Sequence, residues 1–64
     1  MTLEISVDFQ EQSINLMVDN TLSINAFKES DGSITYQRLT RIESEDTQDI
    51  LKSVCEQLFS IEEL

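Results

Sequence analysis

Apolar and polar residues alternate strictly from Leu3 to Phe9, at the start of the chain. Every second side chain is apolar, which is typical of a β-strand with one face against a core and the other in water. Residues 10–13 then form a predicted turn, and a second alternating run carries Ile14 and Val18 on its apolar side. If Phe9 lies opposite Ile14, both stay on the same face, so the two runs predict an antiparallel hairpin.

The same alternation predicts a third and a fourth strand. A turn at 19–21 brings Leu22 opposite Val18 and begins the third strand. Residues 30–32 have the sequence Ser-Asp-Gly, which suits a three-residue hairpin loop whose glycine adopts the left-handed conformation. The fourth strand is predicted from 33 to about 39. The alternation breaks there, so we expect this strand to bulge or to end early.

After residue 43 the apolar residues recur at every third or fourth position instead of every second. The residues at this spacing are Ile50, Leu51, Val54, Cys55, Leu58 and Ile61. They form one stripe of an amphipathic helix, predicted from about 47 to 59 and at most to 63. Ser44 or Asp46 is the expected N-cap, because a short polar side chain there can accept a hydrogen bond from a free backbone N–H.

Together these elements predict an α+β fold. A four-stranded antiparallel β-meander is followed by one C-terminal amphipathic helix, which packs on the apolar face of the sheet (ββββα). Residues 1–64 contain no linker composition and no internal repeat, so they are expected to form a single small domain.

Composition argues against catalysis. Thirteen acidic residues stand against four basic ones, and with no histidine the formal net charge is −9. Acid–base chemistry would then fall to carboxylates, Tyr36 or a lysine, and no pair of carboxylates stands in an apolar sequence context. Cys55 is the only cysteine and lies in the apolar stripe, where a buried, unreactive thiol is expected. We predict no enzymatic activity and no cofactor.

Four carboxylates near the start of the predicted helix superficially suggest a calcium site. They are Glu43, Glu45, Asp46 and Asp49. A calcium-binding loop needs acids at alternate positions, a central glycine and a terminal glutamate, whereas here the glycine is missing and a helix begins inside the cluster. A solvated helix start is the better interpretation, and no metal is expected.

The charge also limits the partners. A net charge of −9 repels phosphate backbones and anionic lipid, so direct binding to nucleic acid or membrane is not expected. No apolar run approaches the ~20 residues that span a bilayer, and the first residues lack the pattern of a signal peptide. We expect a cytoplasmic protein whose partner is another protein with a basic surface.

Candidate binding residues fall into an acidic and an apolar group. The acidic group comprises Glu43, Glu45, Asp46, Asp49, Glu56 and Glu63. The apolar group is Met17 and Phe27, which the alternation places on the outer, otherwise polar face of the sheet. They are expected to be close together if their strands are neighbours, and both residue types are enriched at interfaces. Phe59 and Leu64 flank the helical stripe and are expected to leave apolar surface near the C-terminus.

These features predict a small acidic protein that binds another protein and inhibits or modulates it. By analogy of size and charge, a phage or another mobile element could encode such an inhibitor. A sharper version is a DNA mimic that occupies a basic nucleic-acid-binding surface. The alternative is a structural or accessory subunit that assembles with itself into a homo-oligomer.

The DNA-mimic version depends on where the carboxylates lie. Spread evenly over roughly 4,200 Å², nine charges give about one per 470 Å², against about one per 110 Å² on duplex DNA. Imitation of DNA therefore requires most acids on one face. Glu4, Asp8 and Asp19 are predicted on the outer sheet face, whereas the helix acids are predicted on the opposite side of the domain.

Overall fold

The computed structural model of the protein describes residues 1–62 and confirms the predicted α+β architecture. Its elements are β1 (Leu3–Asp8), β2 (Ser13–Val18), β3 (Leu22–Lys28), β4 (Ile34–Gln37), a short 3₁₀ turn (Leu39–Arg41) and the helix α1 (Glu45–Glu62). The four strands form one antiparallel sheet in the order β1-β2-β3-β4, so every strand pairs with its neighbour in the chain.

The first hairpin has a different register from the one predicted. Val7, not Phe9, lies opposite Ile14, and β1 ends at Asp8. The Asp8 carboxylate accepts a hydrogen bond from the Glu11 backbone N–H at 3.0 Å, which closes the turn one residue earlier than the alternation indicates. The pairing moves by two residues, so every side chain keeps its predicted face. Phe9 leaves the strand and is 54% exposed in the turn.

The other two hairpin turns follow the prediction. Val18 pairs with Leu22. Between them Asp19 and Asn20 both adopt positive φ angles, 51° and 58°, as the right-handed twist of a tight hairpin favours. Gly32 has a φ of 92°, in the conformation that glycine adopts without steric cost.

The fourth strand ends early, at Gln37, and not at about residue 39. Arg38 takes a left-handed conformation with a φ of 68° and turns the chain away from the sheet. Its Nε donates a hydrogen bond to the Ser23 carbonyl oxygen at 2.5 Å, which anchors this bend against β3. Because of the bend, Leu39 enters the core at the start of the 3₁₀ turn.

The helix begins two residues before its predicted start. The Ser44 hydroxyl oxygen accepts a hydrogen bond from the Thr47 backbone N–H at 3.2 Å, so Ser44 is the N-cap. The Gln48 side chain also donates to the Ile42 carbonyl oxygen at 2.6 Å and ties the first turn to the preceding loop. These contacts fix where the helix enters the domain.

The buried stripe of α1 is rotated from the predicted one. Leu51, Cys55 and Phe59 are buried at a spacing of four residues, whereas Ile50 and Ile61 are exposed. The expectation that Phe59 would leave apolar surface is therefore wrong, because its side chain is only 3% exposed. Leu64, the other residue of that expectation, lies outside the described residues.

The core lies between α1 and the middle of the sheet. It consists of Ile14, Leu16, Val18, Ile24, Ala26, Leu39, Leu51, Cys55 and Phe59. All of the buried strand residues belong to β2 and β3. The helix therefore covers the two central strands, and the two edge strands are only partly covered.

Candidate partner-binding surface

The acidic residues of the helix region lie in water. Glu43, Glu45, Asp46, Asp49 and Glu56 are all exposed, and Glu63 lies outside the described residues. Glu45 and Asp46 stand in the first helical turn, where the free N–H groups favour negative charge. Two of the predicted binding residues thus also have a structural role at the start of the helix.

Carboxylates of the turns are engaged locally. The Asp19 carboxylate accepts a hydrogen bond from the Thr2 backbone N–H at 2.7 Å, so this residue fastens the start of β1. The Asp31 carboxylate accepts bonds from the Ser33 N–H at 2.9 Å and hydroxyl at 2.7 Å. These bonds to Ser33 lower the pKa of Asp31.

The carboxylates do not converge on one face. Asp8 and Asp31 hold turns at one end of the sheet and Asp19 holds the turn at the other end, while Asp49 and Glu56 lie on the helix. The two ends of the sheet are separated by the length of a six-residue strand, about 20 Å. These acids are therefore divided between the two ends of the sheet and the helix.

Met17 and Phe27 are half-buried on the outer face, on the predicted face, but they are not neighbours. Met17 lies opposite Ser23, and Phe27 lies opposite Ser13. Four residues of β2 therefore separate their rows, a distance of about 13 Å at the rise of an antiparallel strand. A polar pair fills the space between them, since Ser23 donates to the Asn15 side-chain oxygen at 2.7 Å. Their side chains are therefore not in direct contact.

A further exposed apolar feature lies on the inner face of β1. Ile5 is 45% exposed, although its cross-strand neighbour Leu16 is fully buried on the same face. Three inter-strand spacings place β1 and β4 about 14 Å apart, whereas a helix with its side chains is about 10–12 Å across. One helix cannot cover four strands. The sequence predicts four strands and one helix, so this comparison of sizes could have indicated that the inner face of an edge strand remains exposed.

Contacts on one side of α1 show how the helix is oriented over the sheet. The Tyr36 hydroxyl donates to the Lys52 carbonyl oxygen at 3.4 Å, and Glu56 borders a depression beside Ile34. The flank of α1 that carries Lys52 and Glu56 therefore lies toward β4.

The opposite flank of α1 lies toward β1, and there Ile50 and Ile61 are 58% and 56% exposed. Val54 is half-buried between them on this flank. We call the combined surface the open flank; it consists of Leu3, Ile5 and Val7 on β1 and Ile50, Val54 and Ile61 on α1.

The outer edge of β1 adds unpaired backbone groups to the open flank. The Asp19 N–H donates to the Thr2 carbonyl oxygen at 2.8 Å, which makes Thr2 and Asp19 a hydrogen-bonded pair of the hairpin. In an antiparallel ladder such pairs alternate. Glu4 and Ser6 therefore direct their N–H and C=O groups toward β2.

Leu3, Ile5 and Val7 direct theirs away from β2, at the outer edge of the four-stranded sheet that residues 1–62 form. The same three residues thus carry both the apolar side chains and the free backbone groups. β4 forms the other edge and has only four residues.

Cys55 and Tyr36, which have nucleophilic or acid–base potential, contribute to packing. Cys55 is fully buried, and burial, with the Glu56 charge adding to it, raises its pKa to about 11. The pKa of Tyr36 is raised to about 12, mainly by burial and then by the negative charges of Cys55 and Glu56. Both groups are protonated at neutral pH, and a thiol is a weak nucleophile in that form.

Small-molecule binding has little structural basis in the described residues. A shallow depression of about 250 Å³ lies between α1 and the β3–β4 turn, lined by Lys28, Gly32, Ile34, Glu56, Phe59 and Ser60. Ligand pockets are usually larger, about 300–1,000 Å³. Across residues 1–62, no three cysteine or carboxylate side chains come together in a way that could hold a metal ion.

No protein-family model, curated protein or solved structure matches this chain. None of the helices described within residues 1–62 has the length and apolar character needed to cross a bilayer. The open flank and the charge around it are the features of the molecule that bear on its function.

Proposed function

We propose that this protein is a non-catalytic, cytoplasmic binding protein that attaches to a basic surface of another protein and inhibits or modulates it. The observation that supports the proposal is the open flank, where Ile5, Ile50 and Ile61 remain about half exposed beside a complete core. A chain with a net charge of −9 surrounds this apolar surface with negative potential.

The two properties of this surface have separate roles in binding. Carboxylates around an interface speed the approach of a basic partner, but charges at the rim contribute little to retention. Retention comes from a few buried apolar or aromatic contacts near the centre. A standard interface covers ~800 Å² on each partner, which is about a fifth of the 4411 Å² surface of this protein. An interface centred on the open flank is therefore large enough to occupy one side of the domain.

The spread of the carboxylates limits the mechanism. Imitation of a phosphate lattice would need most acids on one face, whereas the turns at both ends of the sheet hold several of them. The proposal is therefore for a basic protein surface in general. A nucleic-acid-binding cleft is one surface of that kind.

The test uses two variants with equal charge. Ile50→Glu and Ser53→Glu both add one negative charge at an exposed position of α1, but only Ile50 lies on the open flank. Each variant and the parent protein, carrying a tag, are used to recover partners from a lysate of the source cell at low and high salt. We expect one basic protein with the parent and with Ser53→Glu, and its loss with Ile50→Glu.

The purified partner then decides the inhibitory role, because its own activity is measured with increasing amounts of each variant. Equal recovery with Ile50→Glu and Ser53→Glu would contradict the role of the open flank. Binding that disappears completely in moderate salt would reduce the role of the apolar contacts, since the Debye length is only ~8 Å at 0.15 M.

Self-assembly is the second candidate, and the unpaired edge of β1 is the observation that favours it. Two copies would together carry a charge of −18, from −9 on each. Their repulsion weakens as salt rises, so a homo-oligomer should tighten in salt whereas a complex with a basic partner should loosen. Sedimentation of the purified protein at 0.05 M and 1 M salt separates the two behaviours.

A further inference from the structure

We propose that the partner contributes an extended segment that pairs with β1 as a fifth, antiparallel strand, with apolar and basic side chains in alternation. This inference rests on the proposed function and specifies how the open flank engages its target. Addition of a strand to an exposed sheet edge is a general mode of peptide recognition, in which backbone bonds supply affinity and alternate side chains supply specificity.

The backbone of β1 determines which residues of the segment meet the domain. The free N–H and C=O groups belong to Leu3, Ile5 and Val7, as the bond between Asp19 and Thr2 requires. Residues directly opposite each other in an antiparallel pair have side chains on the same face. The residues of the added segment that bond to Leu3, Ile5 and Val7 therefore place their own side chains on the inner face of the sheet, on the side where α1 lies.

The inner positions of the added strand should be apolar. A fifth strand lies about 4.8 Å beyond β1 and covers the exposed half of Ile5 from the side. Ile50 and Ile61 are exposed on the flank of α1 opposite the one that contacts β4. Apolar side chains at these positions remove surface from water on both β1 and α1.

The outer positions of the added strand should be basic. In alternation with the three apolar residues, β1 presents Glu4, Ser6 and Asp8 on the outer face, all exposed. A lysine or arginine opposite Glu4 or Asp8 forms a favourable cross-strand pair, whereas an acid there is destabilising. The net charge of −9 attracts the same segment from a distance.

Charge also distinguishes this occupant from a second copy of the chain. Two β1 strands could pair through the same backbone groups, with Ile5 opposite Ile5. That arrangement would bring Glu4 and Asp8 of both copies, four carboxylates, onto one outer face with no basic residue of β1 between them. The structure therefore favours a basic segment from a partner.

The test uses capped nine-residue peptides of alternating lysine and valine. In one peptide the valine nitrogens are methylated, which removes the N–H groups that would bond to β1. In its matched control the lysine nitrogens are methylated, which leaves those N–H groups in place and blocks only the outer edge of the peptide. A third peptide replaces lysine by glutamate. Binding is followed by amide NMR shifts and hydrogen exchange of the full chain.

We expect the lysine–valine peptide and its lysine-methylated form to bind and to slow amide exchange at Leu3, Ile5 and Val7. Methylation of the valines should weaken binding at least tenfold, and the glutamate peptide should not bind. Glu4→Gln should weaken binding of the lysine peptide more than Glu43→Gln does, because Glu43 lies outside β1.

Equal binding of the two methylated peptides, or shifts confined to the helix acids, would overturn strand addition. A protein that is already a dimer with protected β1 amides would overturn it in favour of the second copy. If the peptides fail while a cellular partner still depends on Ile50, the proposed function stands and only the strand-addition mode falls.

Discussion

β1 and β2 carry the same alternation of apolar and polar residues, yet they have different environments. Leu16 of β2 is fully buried, whereas Ile5, its partner across the strands and on the same face, is 45% exposed. The difference comes from position in the sheet, because α1 covers the central strands and does not reach the edge. Alternation therefore predicts the face to which a side chain belongs, and the number of covering elements decides whether that face is buried.

The largest expected effect comes from truncating, one at a time, the two side chains that lie opposite each other, Leu16 and Ile5. Leu16→Ala should destabilise the protein by about 2–5 kcal/mol, because it removes buried contacts and leaves a cavity. Ile5→Ala should cost about 1 kcal/mol or less, since half of its surface is already in water. Urea unfolding followed by circular dichroism measures both. Equal costs would mean that the inner face of β1 is covered in solution.

A matched variant keeps the comparison measurable if Leu16→Ala does not fold. A domain of this size has only about 3–10 kcal/mol of stability, so the loss of one core residue can exceed what is available. Leu16→Val removes less volume and is expected to fold with a cost of roughly 1 kcal/mol. Ile5→Val should then be close to neutral.

Alkaline pH should destabilise the protein through the covered region of the core. The pKa of Cys55 is raised from 9.0 to about 11 by burial, so the folded state holds this proton more tightly than the unfolded state. Stability is complete below pH 9 and falls as pH rises from about 9 to 11. A pKa difference of about 2 corresponds to about 3 kcal/mol. Unfolding measured at pH 8, 9, 10 and 11 should show this loss.

Cys55→Ala is the control for the titration. It should cost about 1–2 kcal/mol at pH 7, because it empties part of the core. Its stability should then fall less between pH 9 and 11 than that of the parent protein. Tyr36, whose pKa is about 12, continues to contribute above pH 10 in both proteins. Parallel pH profiles of the two proteins would contradict the assignment of the alkaline loss to Cys55.

The prediction from sequence succeeded where a local rule had one solution. Gly32 marks a positive-φ turn, and the buried alternation of β2 and β3 follows from period two. It was wrong where two local solutions compete. Phe9 continues the alternation of β1, but the Asp8 carboxylate closes the turn before it.

The exposure and spacing of the candidate binding residues depend on more than local periodicity. Met17 and Phe27 belong to the expected face, but their distance depends on the register between β2 and β3. Ile50 and Ile61 fit the helical stripe, but that stripe is wider than the contact that one helix makes. Sequence periodicity could not show which edge of the stripe would remain in water, because this depends on how the helix crosses the sheet.

A smaller effect on stability is expected at the N-cap of α1, the helix that covers β2. Ser44→Ala should destabilise the protein by about 1 kcal/mol, because the Thr47 N–H loses its side-chain acceptor. Ser44→Asp should retain most of the stability, since its carboxylate can accept the same bond. Thermal unfolding of both variants measures the difference. Equal melting temperatures for the two would mean that the cap is replaced by water.

Hydrogen exchange compares alternate residues within β1 itself and needs no substitution. The amides of Glu4 and Ser6 point toward β2 and should exchange only when the strand opens. Those of Leu3, Ile5 and Val7 point away from the sheet and should exchange rapidly, residue by residue in alternation. The same alternation should be absent from β2, which has a neighbour on each side. Uniform protection along β1 would show that its edge is already paired in solution. That result would contradict both the exposure of the open flank and the addition of a partner strand.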